Sequence, residues 1–258
     1  MLESLSQGLS ILASIGLFAT MALYFRQVLA GHSTPIVVSY LILTVTSVMN
    51  TATFYCVVGG DLFKVLPSMV MTGGLTVVFL YTLYKRAYGR MTWVDPVCFV
   101  LAVSIGIFWQ TSNDAELTNL FLQSIFVVAT IPIVVGILEG TLREKAFAWE
   151  ISLVSYALMV LGLLCDWKPG SASSLIYPIV NGLGSNGAVV FAIYRVRKRS
   201  VEQASVSLDD RLFVEDNRPE WQQLAETEGR IVLPSFLIGT IIGLVFAIWF
   251  ISETWGKN

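Results

Sequence analysis

The chain has 258 residues, of which 55% are hydrophobic and only 13% are charged, and its mean hydropathy is +0.72. These values exclude an ordinary water-soluble domain, in which about 25% of residues are charged. The formal net charge of −2 does not point to a partner by itself. The composition predicts a protein embedded in a lipid bilayer, and we expect no nucleic-acid partner.

Apolar stretches bounded by charged or turn residues recur along the chain. About 20 apolar residues cross the hydrocarbon core of a bilayer. We therefore predict an all-α integral membrane protein with eight transmembrane helices, at residues 7–28, 34–57, 64–84, 94–111, 117–138, 146–166, 174–194 and 231–252. The first stretch lacks a basic leader and is longer than the apolar part of a signal peptide, so we predict that it is a true span.

The basic residues fall mainly on one side of this arrangement. If the N-terminus faces away from the cytoplasm, all lysines and arginines lie towards the cytoplasm except Lys64, Lys168 and Lys257. Cytoplasmic loops of membrane proteins are enriched in lysine and arginine. The distribution predicts a multi-pass protein whose N-terminus and C-terminus are both non-cytoplasmic, without indicating which membrane holds it.

Similar stretches recur in the two halves of the chain. VVSYLIL from Val37 resembles LVSYALM from Leu153, and TVVFLYTLYKR, ending at Arg86, resembles AVVFAIYRVRKR, ending at Arg199. We interpret residues 1–90 and 117–199 as two parallel three-helix repeats. Residues 91–116 are predicted to form a linker helix. A second three-helix unit can have the same orientation as the first only if one extra span lies between them. Carriers with parallel repeats bind their substrate between the repeats, near the bilayer midplane.

Three stretches carry a resemblance to a known family: YFRQVLAGHSTPIVVSY from Tyr24, PIVVGILEGTLREKAF from Pro132 and NGLGSNGAVVFAIYR from Asn181. With the 3+1+3 order of spans, they resemble the SWEET sugar transporters and the wider PQ-loop superfamily over roughly residues 7–199. The resemblance implies a two-repeat carrier fold with a sugar or similar solute bound between the repeats. The chain departs from the family in having no Pro-Gln pair, no proline in span one and no tryptophan in the middles of spans two and six.

The chain beyond residue 199 lies outside this resemblance. Residues 200–230 are predicted to form an acidic cytoplasmic linker, either with a short helix from Pro219 or solvated throughout. Residues 231–258 hold an appended span in which Gly239 and Gly243 have the GxxxG spacing that lets a second helix backbone approach closely. We expect helix 231–252 to pack on its own bundle, on a second copy of the chain, or in a larger membrane complex.

Ionisable residues are absent from the middles of the predicted spans, and the sole histidine, His32, falls in the first cytoplasmic turn. A retinal Schiff base, haem held by buried histidines, and zinc or di-iron chemistry therefore lack their ligands. Proton coupling in membrane carriers usually requires such residues as well. We expect no cofactor, no metal and no catalytic residue, and transport that is uncoupled from protons.

Neutral polar residues remain near the predicted midplane. Asn50 and Asn181 are the strongest candidates for solute contacts, because an unpaired amide in hydrocarbon is costly and the two lie in different repeats. Ser47, Thr72 and Ser155 are further candidates for the same cavity. The alternative for each hydroxyl is a bond to a helix carbonyl or to a neighbouring helix.

Two prolines and a further asparagine bear on how the second repeat bends and packs. Pro132 and Pro178 each free a carbonyl one turn earlier and permit a bend. Such bends act as hinges in a carrier and as kinks in a static bundle. Asn186 lies about 140° around the helix from Asn181, so we predict that it packs against a neighbouring helix.

Three functions stay open at this point. The first is a facilitative carrier for a small neutral solute such as a sugar. The second is a structural or assembly subunit that has reused a carrier fold. The third is an intramembrane enzyme with Glu150 or Asp166 as proton donor. The sequence favours the carrier, and we expect no enzymatic activity, because these acids lie only at the ends of spans.

Overall fold

The structure is a computed structural model that describes residues 2–33, 35, 37–85, 94–167 and 172–206. Every regular element in this part of the chain is helical. In chain order the elements are α1 Leu2–Leu29, α2 Val37–Val57, α3 Leu62–Tyr84, α4 Val94–Ser112, α5 Ala115–Leu138, α6 Ala146–Cys165, α7 Ser173–Tyr177, a π-helical segment Pro178–Ser185 (the π segment) and α8 Asn186–Val206. The predicted last span, with Gly239 and Gly243, and most of the linker lie outside the described residues.

Six of the described helices are long and apolar enough to cross a membrane: α1, α2, α3, α5, α6 and the combined stretch Ser173–Lys198. That stretch comprises α7, the π segment and most of α8, and is called the seventh span below. The α4 helix adds a shorter apolar stretch, Phe99–Ser112. The prediction of an α-helical, multi-pass membrane protein is confirmed at this level.

Capping side chains and glycines set the ends of the spans. The Asp61 carboxylate accepts the backbone N–H of Phe63 at 3.0 Å, and the Asp114 carboxylate caps the start of α5. Each satisfies a donor that the first turn of a helix leaves unpaired. Gly59 and Gly60 have φ of 69° and 80°, a backbone region that glycine enters at little cost. The resulting tight turn makes α2 and α3 antiparallel neighbours.

The long helices pack in a regular scheme. The α1 helix contacts α6 and α3, and α2 contacts α3 and α5. Both α5 and α6 contact the seventh span, while α4 lies against α5 and α2. The first three spans therefore meet the last three mainly through two helix pairs, α1–α6 and α2–α5.

The α1–α6 pair is closely packed through small residues. A Cβ added at Gly16 would lie 2.1 Å from the Ser155 hydroxyl oxygen, and one added at Gly162 would lie 3.2 Å from the carbonyl oxygen of Ser6. Small residues allow helix backbones to approach in this way. Ser155, a predicted solute contact, thus lies in the α1–α6 packing contact.

The third helix of each half begins in the same manner and then differs by one residue. Pro67 is the sixth residue of α3, and Pro178 is the sixth residue of the seventh span. Phe79 is the eighteenth residue of α3, whereas Phe191 is the nineteenth of the seventh span. The π segment lies between Pro178 and Phe191 and accommodates the added residue, because a π-helical turn holds one residue more than an α-helical turn.

The other pair of similar stretches falls at different depths. Tyr40 of VVSYLIL is the fourth residue of α2, whereas Tyr156 of LVSYALM is the eleventh residue of α6. The two motifs lie about two helical turns apart in depth. The likeness between α2 and α6 therefore does not reflect equivalent positions in the fold.

Candidate functional site

A cavity of about 80 Å³ lies between the spans. All six long spans contribute to its lining, which is largely apolar, with side chains such as Met21, Met71 and Phe126. Hydroxyl and amide groups interrupt this surface at Thr20, Thr130, Ser152, Asn181, Ser185 and Asn186. An apolar pocket with a few convergent polar groups is the usual form of a small-molecule site.

Three hydroxyls in the cavity wall have no hydrogen-bond partner among the described residues. They belong to Thr20 of α1, Ser152 of α6 and Ser185 of the π segment, and all three side chains are buried. Buried hydroxyls on helices usually bond a carbonyl one turn back. Ser14 and Ser155 do so here, at 2.7 Å and 2.8 Å.

An unpaired buried hydroxyl costs about 1–3 kcal/mol. Ser6, Thr44, Thr46 and the Gln123 side-chain oxygen also lack a partner among the described residues, but they do not belong to the cavity lining. The cavity is the place where three such groups from three helices meet. This arrangement suits a small molecule that offers several hydrogen-bonding groups and no charge.

The π segment carries the polar side of the seventh span. It begins at Pro178, which has no N–H to donate, and includes Asn181 and Ser185 of the cavity lining. The Asn186 amide donates to the carbonyls of Asn181 and Gly182 at 3.1 Å and 2.7 Å. Asn186 therefore satisfies backbone acceptors of its own span, and it also lines the cavity.

Aromatic side chains cross the bundle on one side of the cavity, here called the Lys64 end. The Tyr156 and Tyr177 hydroxyls are 3.0 Å apart, and the Phe54 ring packs 5.3 Å from that of Tyr177. A Cβ on Gly182 would lie 2.4 Å from the Tyr156 ring. Further out, Lys64 pairs with Asp61 and Asp166, which ties α3 to the end of α6.

A second set of side chains crosses the bundle on the opposite side, here called the Glu144 end. Glu144, in the loop between α5 and α6, accepts hydrogen bonds from Tyr24 at 3.1 Å, Ser33 at 3.0 Å and the indole N–H of Trp149 at 3.2 Å. The Tyr40 hydroxyl donates to that of Tyr24 at 2.6 Å. Burial raises the pKa of Glu144 to about 7, although the three donors oppose this shift.

A network of hydrogen-bonded polar groups, here called the satisfied cluster, lies between α2, α3 and α5. Its members are Ser47, Asn50, Thr51, Ser68, Thr72, Asn119 and Gln123. Every member makes at least one hydrogen bond within it, and the Gln123 side-chain oxygen is the one buried polar atom of the cluster that lacks a partner among the described residues. The Asn50 carbonyl oxygen accepts from the Asn119 amide at 3.1 Å and the Gln123 amide at 2.8 Å. Thr72 bonds Ser47 and Thr51, each at 2.8 Å. The cluster joins the two halves of the molecule across the α2–α5 pair.

The predicted site residues divide between these places. Asn181 lines the cavity with a half-buried side chain. Asn50, Ser47 and Thr72 belong to the satisfied cluster, and Ser155 lies between α1 and α6. Whether any of these residues contacts a solute stays a prediction.

Both prolines that the sequence predicted as hinges lie within helical segments. Pro178 begins the π segment, and Pro132 lies inside α5; their action as hinges also stays a prediction. Residues that the sequence did not single out for a site are Thr20, Tyr24, Ser33, Glu144 and Trp149. Glu144 has a charged residue on either side in the sequence, which is typical of a solvated loop.

Comparison of the chain with protein-family models, curated proteins and solved structures yields no match. Within the described residues, no three histidine, cysteine, aspartate or glutamate side chains come together as a metal site. The fold and the cavity define a polytopic helical membrane protein with a largely apolar cavity between its spans, into which a few uncharged polar groups project.

Proposed function

We propose that this protein is a membrane carrier for a small neutral solute such as a sugar, and that the solute binds in the cavity. The observation that carries the proposal is the meeting of the unpaired hydroxyls of Thr20, Ser152 and Ser185 in one cavity lined by all six long spans. A solute with several hydroxyl groups would pair with each of them. Asn181 adds an amide to the same wall.

The packing scheme supports a two-repeat architecture for this carrier. In two equivalent repeats, α1 would correspond to α5, α2 to α6 and α3 to the seventh span. The contact between α1 and α6 would then correspond to a contact between α5 and α2, and both contacts exist. The equivalent prolines Pro67 and Pro178 favour the same exchange. We therefore propose a 3+1+3 arrangement like that of the SWEET and PQ-loop carriers, with α4 as the linker helix and an eighth span at 231–252.

The placement of the basic residues supports one orientation of the chain in the membrane. Arg26, Arg143 and Lys145 lie at the Glu144 end, whereas Lys64 lies at the opposite end. We propose that the Glu144 end faces the cytoplasm. Both termini of an eight-span chain would then be non-cytoplasmic.

The size of the cavity bears on the transport cycle. A volume of about 80 Å³ holds a few water molecules, whereas sites for larger ligands measure roughly 300–1,000 Å³. Side chains cross the bundle at both the Lys64 end and the Glu144 end. The structure is therefore best assigned to a closed state, and solute binding requires the bundle to open at one end and the cavity to widen.

Uptake into proteoliposomes tests the carrier proposal. The purified full chain is reconstituted, and the entry of labelled neutral solutes, beginning with mono- and disaccharides, is compared with entry into protein-free vesicles. We expect saturable uptake of at least one solute. Failure of every neutral solute in the panel to enter faster than in empty vesicles would contradict the proposal.

The α6 helix offers a matched pair of variants for the same assay. Ser152 presents an unpaired hydroxyl to the cavity, whereas Ser155 spends its hydroxyl on the Ile151 carbonyl. Losing a hydrogen bond to solute costs about 1–1.5 kcal/mol, so Ser152→Ala should raise KM roughly tenfold. Ser155→Ala should leave KM unchanged, and equal effects of the two variants would argue against the assigned cavity.

A structural or assembly subunit is the second candidate function. The satisfied cluster favours it, because the Asn50 amide is committed to bonds between helices instead of a solute. The proposed last span with Gly239 and Gly243 would supply a docking helix for a partner or a second copy. Purification in mild detergent distinguishes the two functions, since a subunit should bring a stoichiometric companion and a carrier should not require one.

A further inference from the structure

Glu144 is a carboxyl group that has no charged partner among the described residues. The residue as a whole is half-buried, but its carboxyl group is enclosed by protein and accepts hydrogen bonds from Tyr24, Ser33 and Trp149. Within the described residues, no lysine, arginine or histidine forms an ion pair with it. A charged group removed from water without an opposite charge is unfavourable, so this site favours the protonated form.

The described groups that contact Glu144 are uncharged. They are Tyr24 from α1, Tyr40 of α2 through its bond to Tyr24, Ser33 from the loop after α1, and the Trp149 indole from α6. Tyrosine has an ordinary pKa near 10, so these donors are neutral near pH 7. Along the chain, Arg143 and Lys145 flank Glu144, and both are exposed.

The same side chains form a wall of the cavity. Tyr24, Tyr40 and Trp149 line it, and Tyr24 and Trp149 also donate to Glu144. The Tyr24 ring packs edge to face against Trp149 at 5.9 Å and stacks on Tyr40 at 6.1 Å. One carboxyl group therefore joins α1, α6 and the loop after α1, and through Tyr24 it reaches α2, at the point where the bundle would open.

We propose that Glu144 is a proton-binding residue whose protonation holds this end of the bundle closed, and that loss of the proton lets the end open to water and solute. The inference rests on the proposed carrier function and deepens it. It keeps the expectation of transport uncoupled from proton movement but makes that transport depend on pH. The linkage requires no proton to cross the membrane, because the carboxyl group exchanges its proton with the side on which it opens.

The raised pKa of Glu144 determines how closure of the bundle depends on pH. Burial raises the pKa of Glu144 from an ordinary 4.5 to about 7. The closed arrangement is thus fully stabilised below pH 4.5, and this stabilisation is lost as the pH rises through about 7. About nine-tenths of the carboxyl groups are protonated one pH unit below the midpoint, and about one-tenth one unit above it.

Infrared spectroscopy of the reconstituted full chain tests proton binding without any transport assay. The carbonyl band of a protonated carboxylic acid should titrate with a midpoint near pH 7, and this component should be missing from Glu144→Gln. Ser33→Ala keeps the carboxyl group but removes a donor that stabilises its charged form, so its midpoint should be higher than in the wild type. A Glu144 midpoint near 4.5, or a band that Glu144→Gln does not alter, would overturn the inference.

Thiol labelling tests whether protonation closes the bundle. The chain has three cysteines; these are replaced by serine, and Ser152→Cys then places one thiol in the cavity wall. A membrane-impermeant maleimide should label this thiol about tenfold faster at pH 8 than at pH 6, after correction for thiol ionisation in the unfolded protein. Adding Glu144→Gln should give slow labelling at both pH values, and an unchanged pH dependence in that variant would overturn the inference.

The outcomes separate this inference from the carrier proposal. Saturable solute uptake at the same rate at pH 6 and pH 8 would overturn the proton-linked closure and leave the carrier intact. Titration near pH 7 together with pH-dependent labelling, but without uptake of any solute, would support the proton site and overturn the carrier function alone.

Discussion

The satisfied cluster and the cavity wall are built from the same kinds of residue but treat them differently. In the satisfied cluster, Asn50 and Thr72 each bond partners on other helices. In the cavity wall, the hydroxyls of Thr20, Ser152 and Ser185 face a shared space without a partner in the described chain. Both regions are buried, so burial alone does not distinguish a structural polar group from a functional one.

The difference shows which polar groups are available to a ligand. A paired amide stabilises helix contacts, and binding a solute with it would require breaking those bonds. An unpaired hydroxyl already carries the cost of desolvation and gains when a ligand supplies the missing bond. Serine and threonine are weaker indications of a binding site in a sequence than asparagine. In this protein, however, the hydroxyls of the cavity wall form a stronger candidate site than the amide of Asn50.

Removing Asn50 should have the largest effect on stability. In Asn50→Ala, the amides of Asn119 and Gln123 lose their shared acceptor inside the protein, which should cost about 2–4 kcal/mol. Thermal unfolding in detergent measures this loss. Asn181→Ala provides the comparison, because its half-buried side chain should change stability by less than about 0.5 kcal/mol. Similar melting temperatures for the two variants would show that the amides of the satisfied cluster and of the cavity wall do not differ in their contribution to stability.

A change at Gly182 should have an intermediate effect by disturbing the boundary of the cavity at the Lys64 end. Its added Cβ would meet the Tyr156 ring at 2.4 Å, and overpacking of this kind costs about 1–3 kcal/mol. Gly187→Ala is the matched control on the same span, since its Cβ would have its nearest neighbour at 3.9 Å. The same unfolding assay should show a loss for Gly182→Ala only.

Removing an unpaired hydroxyl should have the smallest effect and the opposite sign. Ser185→Ala and Thr20→Val eliminate buried groups that lack a partner, so each should stabilise the protein by up to about 1 kcal/mol. Ser155→Ala breaks the bond to the Ile151 carbonyl and should destabilise it by about 0.5–1 kcal/mol. A loss of stability in Ser185→Ala would indicate that its hydroxyl is structurally paired.

Much of the fold could be predicted from the sequence, because hydrophobic length fixes spans almost independently of their partners. The predicted spans 7–28 and 117–138, for example, coincide with α1 and α5 to within a few residues. Depth within a span was harder to predict. The SYL and SYA motifs around Tyr40 and Tyr156 look equivalent but differ by two turns, because short apolar motifs recur wherever lipid is the solvent.

The candidate site was only partly predictable. Asn181 could be identified because an amide in an apolar run is costly on its own. Asn50 carries the same signal, yet its partners Asn119 and Gln123 lie on a helix about 70 residues away in the chain. Pairing over that distance cannot be recognised from one sequence. Glu144 was missed because enclosure by Tyr24, Ser33 and Trp149 depends on how α1 and α6 pack.

The added residue in the π segment also limits the symmetry of the proposed repeats. In a continuous α-helix, one extra residue would turn everything after it by about 100° and shift it by about 1.5 Å along the axis. A π-helical turn takes up such a residue within itself, and Val77 and Val189, at matching places in the two similar stretches, are both buried. The departure from symmetry is therefore confined to the π segment, which is the part of the seventh span that carries Asn181 and Ser185 into the cavity wall.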